Sequence, residues 1–142
     1  MTQTLERFLA AAGAVACAII SLRVRQVVSE QQPMWPLPAL YLIEMVMLSV
    51  IALLTILRGA ALSGTITWIA VGVLCAFVVM GAWSIGFLYL PVAVIFAVTS
   101  IVMDRRQKHN SVRRLGLAGL GGVVQVAGML IAIRLLYPDA VF

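Results

Sequence analysis

Residues 37–57 of this chain read LPALYLIEMVMLSVIALLTIL, an apolar run in which Glu44 is the one charged side chain. About 20 apolar residues are the length that crosses a hydrocarbon core about 30 Å thick as an α-helix. A carboxyl group inside such a run is expensive to keep in lipid and marks a candidate functional position. The stretch therefore predicts a membrane-spanning helix with a candidate site at Glu44.

The composition extends this prediction to the rest of the chain. Of its 142 residues, 63% are hydrophobic and 11% are charged, and the mean hydropathy is +1.11. A soluble domain carries roughly 25% charged residues. We therefore predict an all-α fold, a polytopic integral membrane helical bundle that forms a single transmembrane domain over residues 1–142.

Five apolar runs are long enough to span a bilayer. They cover about residues 8–25, 37–57, 66–84, 88–103 and 115–136. Few residues remain for structure outside the membrane. The chain is thus expected to be almost entirely transmembrane helix and short connections.

Residues 66–103 contain no charged side chain. The boundary between the third and fourth spans is therefore indicated only by glycine, proline and aromatic residues. Gly81 and Gly86 permit a tight reversal, and Pro91 suits the first turn of a helix. Trp83 and Tyr89 would then lie at the membrane interface. This pattern predicts a helical hairpin. The alternative has four spans, with a long third helix kinked at Pro91.

The orientation follows from the basic cluster between the last two spans. The positive-inside rule places that cluster in the cytoplasm of a cell inner membrane or plasma membrane, with the N-terminus cytoplasmic and the C-terminus external. Arg23 and Arg25 then fall on the external side, which the four-span alternative would avoid. The cluster lacks interleaved aromatic residues, so lipid is expected as its partner and nucleic acid is not. The predicted headgroup contacts are Arg105, Arg106, Lys108, Arg113 and Arg114.

Small residues recur on one face of the last span, at helical spacing that includes Gln125. Such residues let membrane helices approach closely, so this face is predicted to pack against protein. Whether that protein is the same chain or a second copy stays open at this point. The predicted packing residues are Ala118, Gly122, Gly128 and Ala132.

Gln125 needs a hydrogen-bond partner, because an unpaired polar group in hydrocarbon is unfavourable by several kcal/mol. Glu44 lies about 10 Å from the external end of the second span, and Gln125 about 15 Å from the internal end of the last. Their depths are therefore similar. We predict that a protonated Glu44 hydrogen-bonds Gln125, and that Tyr41 and Ser49 are placed to join them.

Catalytic and metal-binding patterns are missing from the sequence. No nucleophile stands beside a base, and no Cys, His or carboxylate spacing predicts a metal site. Cys17 and Cys75 fall within spans and are expected to be small buried hydrophobes. We therefore expect no enzyme activity, no metal and no cofactor.

Two functions fit these features. The first is a non-catalytic structural or assembly subunit, part of a homo-oligomer or of a complex with other membrane subunits. The alternative is a small proton- or cation-linked transporter or channel that uses the Glu44 carboxyl. The surroundings of Glu44 distinguish them, since transport needs a hydrated cavity and an anchor needs only packing partners.

Overall fold

A computed structural model gives the structure of the chain and describes residues 2–29, 37–81, 86–107 and 111–136. Almost all of these residues are helical, and each long helix is apolar enough to cross a membrane. This confirms the predicted all-α bundle of five apolar helices. The helices are α1 (Thr2–Ser29), α2 (Leu37–Leu57), α3 (Ser63–Met80), α4 (Leu90–Gln107) and α5 (Ser111–Leu136), with a short 3-10 helix at Gly86–Tyr89.

The first helix is longer than the predicted span, because it begins at Thr2 and includes Glu6 and Arg7. Charges of this kind normally end a predicted span. Glu6 is nevertheless only 2% exposed and lies beside Arg106 of α4. The helix therefore continues through a charged turn in which the bundle covers Glu6 and leaves Arg7 exposed.

The third and fourth helices form the predicted hairpin. Trp68 near the start of α3 contacts Asp104 near the end of α4, so the two helices run antiparallel. At the reversal, the Gly86 N–H donates to the Gly81 carbonyl oxygen over 2.9 Å. Pro91 lies in the first turn of α4, where its missing N–H breaks no helical bond. The four-span alternative is therefore wrong.

Tyr89 does not lie at an interface as predicted. It is fully buried, its hydroxyl lies 2.7 Å from the Ser21 hydroxyl, and its ring meets Phe77 edge to face at 5.2 Å. The phenol is buried because α1 supplies a hydroxyl partner for its polar end. Trp83, the other predicted interface residue, lies outside the described residues.

The first four helices pack as a ring in chain order, with α4 returning to contact α1. The fifth helix lies outside this ring and packs mainly along α3. The start of α1 and the basic residues of α4 and α5 share one end of the bundle, which we call the basic end; the start of α2 lies at the opposite end. Of the most apolar 18-residue window of each helix, 56% is buried in α3 and 17% in α5. Most of α5 is therefore surface.

Close packing of α5 on α3 depends on small residues of both helices. A Cβ added at Gly72 of α3 would collide with the carbonyl oxygen of Ala118, and one at Gly121 would lie 2.8 Å from the carbonyl oxygen of Ile69. Of the predicted packing residues, Ala118 is buried and Gly122 lies against the Gly72 backbone. Gly72 and Gly121 were not among the predicted packing residues.

The other two predicted packing residues, Gly128 and Ala132, lie further along α5. They border a cavity next to α2. Gly128 is exposed, and a Cβ added there would have nothing within 4 Å. The small residues of α5 thus lie in two places: some pack against α3, and others border the cavity beside α2.

The two cysteines differ in their exposure. Cys17 is fully buried and its thiol lies 3.5 Å from the carbonyl oxygen of Met45. Cys75 is exposed, which corrects the prediction that it is buried. It lies on the side of α3 that borders α5. There Gly119 and Gly122 of α5 have no side chains to cover the Cys75 thiol.

Candidate functional site

Glu44 lies on the surface of the bundle, not in its core. It is exposed on α2, about two helical turns from the opposite end. The next residue, Met45, points inward and is fully buried. The carboxyl group is therefore carried on the outer side of α2 at a depth where a membrane protein meets hydrocarbon or another chain.

Gln125 of α5 is in contact with this carboxyl group. Its Nε2 donates a hydrogen bond to Oε2 of Glu44 over 3.0 Å, and its side chain is 7% exposed. An amide N–H can donate to a carboxylate or to the carbonyl oxygen of a protonated acid. The hydrogen bond thus links α2 to α5 in either protonation state of Glu44.

The gap between α2 and α5 holds a cavity of about 240 Å³. The hydroxyl of Tyr41 is buried beside it and has no hydrogen-bond partner among the described residues. The absent side chain of Gly128 leaves the other wall open. We call the lining of this cavity the Glu44 face: Leu40, Tyr41, Glu44, Gln125, Gly128, Met129 and Ala132.

Ser49 is not part of this face. Its hydroxyl donates to the carbonyl oxygen of Val46 over 2.8 Å, and it is 1% exposed. Such a bond to the preceding turn satisfies a serine without a partner on another helix. The site therefore contains Tyr41 but excludes Ser49.

The polar groups of the Glu44 face are a carboxyl, an amide and a phenol. Together they offer several oxygen acceptors and the Tyr41 donor, which suits a proton, a small cation or hydrogen-bonding groups from another chain. They include no nucleophile activated by a base. Within the described ranges, no three His, Cys, Asp or Glu side chains converge as metal ligands.

A buried ionic cluster that was not predicted from the sequence lies at the basic end. Asp104 is fully buried. Its Oδ1 accepts a hydrogen bond from Arg114 Nη1 over 2.6 Å, and its Oδ2 accepts one from Trp68 Nε1 over 2.8 Å. The guanidinium of Arg114 lies against Gly64, where a Cβ would collide with it. This cluster ties together α3, α4 and α5.

Two arginines predicted to contact lipid headgroups are thus engaged within the chain. Arg114 pairs with Asp104 and its side chain is 11% exposed. Arg106 Nε lies 3.0 Å from Glu6 Oε1, an ion pair between α4 and α1. Of the remaining predicted headgroup contacts, Arg105 is exposed, while Lys108 and the side chain of Arg113 lie outside the described residues.

One sequence signal pointed to this cluster. Asp104 directly follows the apolar run of α4, and Arg114 lies ten residues later, across the short connection to α5. An acid and a base at the facing ends of a helical hairpin are placed to pair. Nothing in the sequence singled out Trp68 as the third member.

Comparison with protein-family models, with curated proteins and with solved structures gives no match for this chain. Inferences about its function therefore depend on the geometry described above.

Proposed function

We propose that this small membrane protein is a non-catalytic subunit of a larger membrane assembly, formed with copies of itself or with other membrane subunits. The observation that carries the proposal is the exposure of Glu44 on the outer side of α2. Among the described residues, the one hydrogen bond to this carboxyl group comes from Gln125. A second chain would cover the rest.

The physical reason is the free energy of a carboxyl group in lipid. Placing a charged side chain at the centre of a membrane helix is unfavourable by about 2.5–3.5 kcal/mol on insertion scales. A neutral carboxyl still needs partners for its donor and its acceptors. Packing the Glu44 face against another helix removes it from lipid and supplies those partners.

The peripheral position of α5 supports the same proposal. Only 17% of its most apolar window is buried, and Gly116, Gly119 and Gly128 each face open space. Glycines lower the surface of a membrane helix, so another helix can approach its backbone closely. Gly128 lines the Glu44 face and extends it along α5, whereas Gly119, about two and a half helical turns earlier, opens the opposite side of the helix.

The proposed orientation keeps the basic end in the cytoplasm of a cell inner membrane or plasma membrane. Arg105 is exposed at that end, where it is suited to anionic headgroups. In this orientation the start of α1 is cytoplasmic and the end of α5 is external.

A second candidate function is proton- or cation-linked transport. The cavity of about 240 Å³ beside Glu44 favours it, as does the Tyr41 hydroxyl that lacks a protein partner among the described residues. A carboxyl group next to a cavity can alternate between protonated and ion-bound states. The subunit proposal is preferred because the carboxyl lies at the bundle surface, where an assembly partner can reach it.

Glu44→Gln distinguishes the two functions, since it keeps the size and hydrogen-bonding capacity of the side chain but removes its titratable proton. We expect wild type and the variant, extracted in a gentle detergent, to share the same mass, above that of a monomer. We also expect neither protein to conduct protons or monovalent cations in liposomes, measured against protein-free liposomes. A flux that wild type supports and Glu44→Gln abolishes would establish transport instead.

A further inference from the structure

A second cavity lies between α1 and α2, on a different side of α2 from the Glu44–Gln125 contact. Its volume is about 650 Å³, within the roughly 300–1,000 Å³ of typical ligand pockets. Its walls are almost entirely apolar, and Arg25 is the one charged residue among them. Residues that line it include Ala18, Leu22, Ile43, Val46 and Met47. We call it the α1–α2 groove.

The groove runs along the helix axes from the opposite end of the bundle toward its middle. On α1 it extends from Arg25 to Ala18, and on α2 from Ala39 to Met47. These separations are about 10 Å and 12 Å at 1.5 Å per residue. One leaflet of a bilayer contributes about 15 Å of hydrocarbon. The length of the groove therefore fits within the hydrocarbon thickness of the leaflet at the opposite end of the bundle.

Arg25 stands at the interfacial end of this groove. It lies about one helical turn from the end of α1 and is exposed. No hydrogen bond or ion pair engages it among the described residues. A guanidinium group binds phosphate oxygens in pairs. The groove thus has a phosphate-binding group at its mouth and apolar walls below.

We propose that the α1–α2 groove binds one anionic phospholipid, with its phosphate on Arg25 and an acyl chain against Leu22, Ile43 and Met47. An amphiphile with one anionic head and an apolar tail matches the charge and the depth of the groove together. The exposed fractions of Leu22, Ile43 and Met47 are 58%, 57% and 54%. These side chains are therefore free to pack against the acyl chain.

A bound anionic lipid would also account for the position of Arg25 in the proposed topology. In the proposed topology, Arg23 and Arg25 lie on the external side, against the positive-inside tendency. Arg25 lines the groove and Arg23 does not. A bound anionic headgroup would neutralise Arg25 in the membrane interface, whatever the function of the Glu44 face.

The test is lipid binding by the intact chain in detergent, measured by native mass spectrometry with phosphatidylglycerol or phosphatidylcholine added. Arg25→Gln should weaken phosphatidylglycerol binding roughly tenfold, the loss expected for one charge-assisted contact. Arg23→Gln removes the same charge from the same helix and should leave binding unchanged. Equal losses in the two variants would overturn the proposal, because binding would then depend on overall charge.

A second pair of variants tests the apolar part of the groove. Ile43→Trp should fill it and reduce phosphatidylglycerol binding, with Arg25 intact. Ile51→Trp is the matched control, since Ile51 is also exposed on α2 but does not line the groove. Both changes lie at the surface, where the fold tolerates them. Undiminished lipid binding by Ile43→Trp would overturn the proposal.

Discussion

Asp104→Asn is expected to lower the free energy of unfolding by about 3–5 kcal/mol, the effect of removing one partner of a buried ion pair. The substitution preserves the shape of the side chain and removes its charge. Arg114, whose side chain is 11% exposed, would then lose its counter-charge. Trp68 would lose a charged acceptor for its indole N–H. Unfolding of the purified protein in mixed micelles, followed by circular dichroism, measures the change.

Two variants control for other effects of this change. Arg105→Gln removes an exposed charge one residue further along α4 and should change the unfolding free energy by no more than about 0.5 kcal/mol. Adding Arg114→Gln to Asp104→Asn removes the isolated charge and should recover part of the loss. A loss below about 1 kcal/mol for Asp104→Asn would mean that the ion pair is not buried.

Gly72→Ala is expected to lower the free energy of unfolding by about 1–3 kcal/mol, as overpacking of a close contact does. The added methyl group would collide with the carbonyl oxygen of Ala118. Because that atom belongs to the backbone, relief requires α5 to move away from α3. The same unfolding measurement applies, and the larger Gly72→Val should have the larger effect.

Gly119→Ala is the matched control for this prediction. Gly119 lies on α5 one residue after Ala118, but a Cβ added there meets nothing within 4 Å. Alanine is favoured over glycine inside a helix by up to about 1 kcal/mol, so this variant should be as stable as wild type or more stable. If Gly72→Ala behaves like Gly119→Ala, the described contact of α3 with α5 is incorrect.

The sequence predicted the helices well because lipid imposes a simple length rule on them. The span predicted at residues 37–57 coincides with α2. Two helices extend beyond their predicted spans where charged side chains pair inside the bundle: α1 at Glu6 and α4 at Asp104. Glu6 lies within α1 because Arg106 faces it, and no pattern local to α1 reports an arginine about a hundred residues away.

The Glu44–Gln125 contact could be anticipated because both groups are polar, rare and at similar depth. Depth follows from counting residues along two spans. The angular position of a side chain around its helix does not, because it depends on how several helices pack. Counting residues along the spans therefore could not predict three features: Glu44 is exposed, Ser49 faces the core and Tyr89 is buried.

The role of Gly72 shows the same limit. The glycines of α5 were prominent because several of them occur close together in one helix, whereas Gly72 is separated by about two helical turns from Gly64, the other glycine of α3. Its importance comes from the carbonyl oxygen opposite it on α5. Small-residue patterns indicate that a helix can be approached closely, but they do not identify the facing residue.

The most direct test of the proposed assembly is photo-cross-linking in intact membranes from Leu40, which lies on the Glu44 face and is 44% exposed. A photoreactive residue at Val94 is the control, since Val94 is 52% exposed on α4 and lies at a similar distance from the same end of the bundle. We expect a covalent protein adduct from Leu40, to a second copy or to another subunit, and a weaker one or none from Val94. Absence of any protein adduct from Leu40 would contradict the proposal, because the Glu44 face would then be open to lipid.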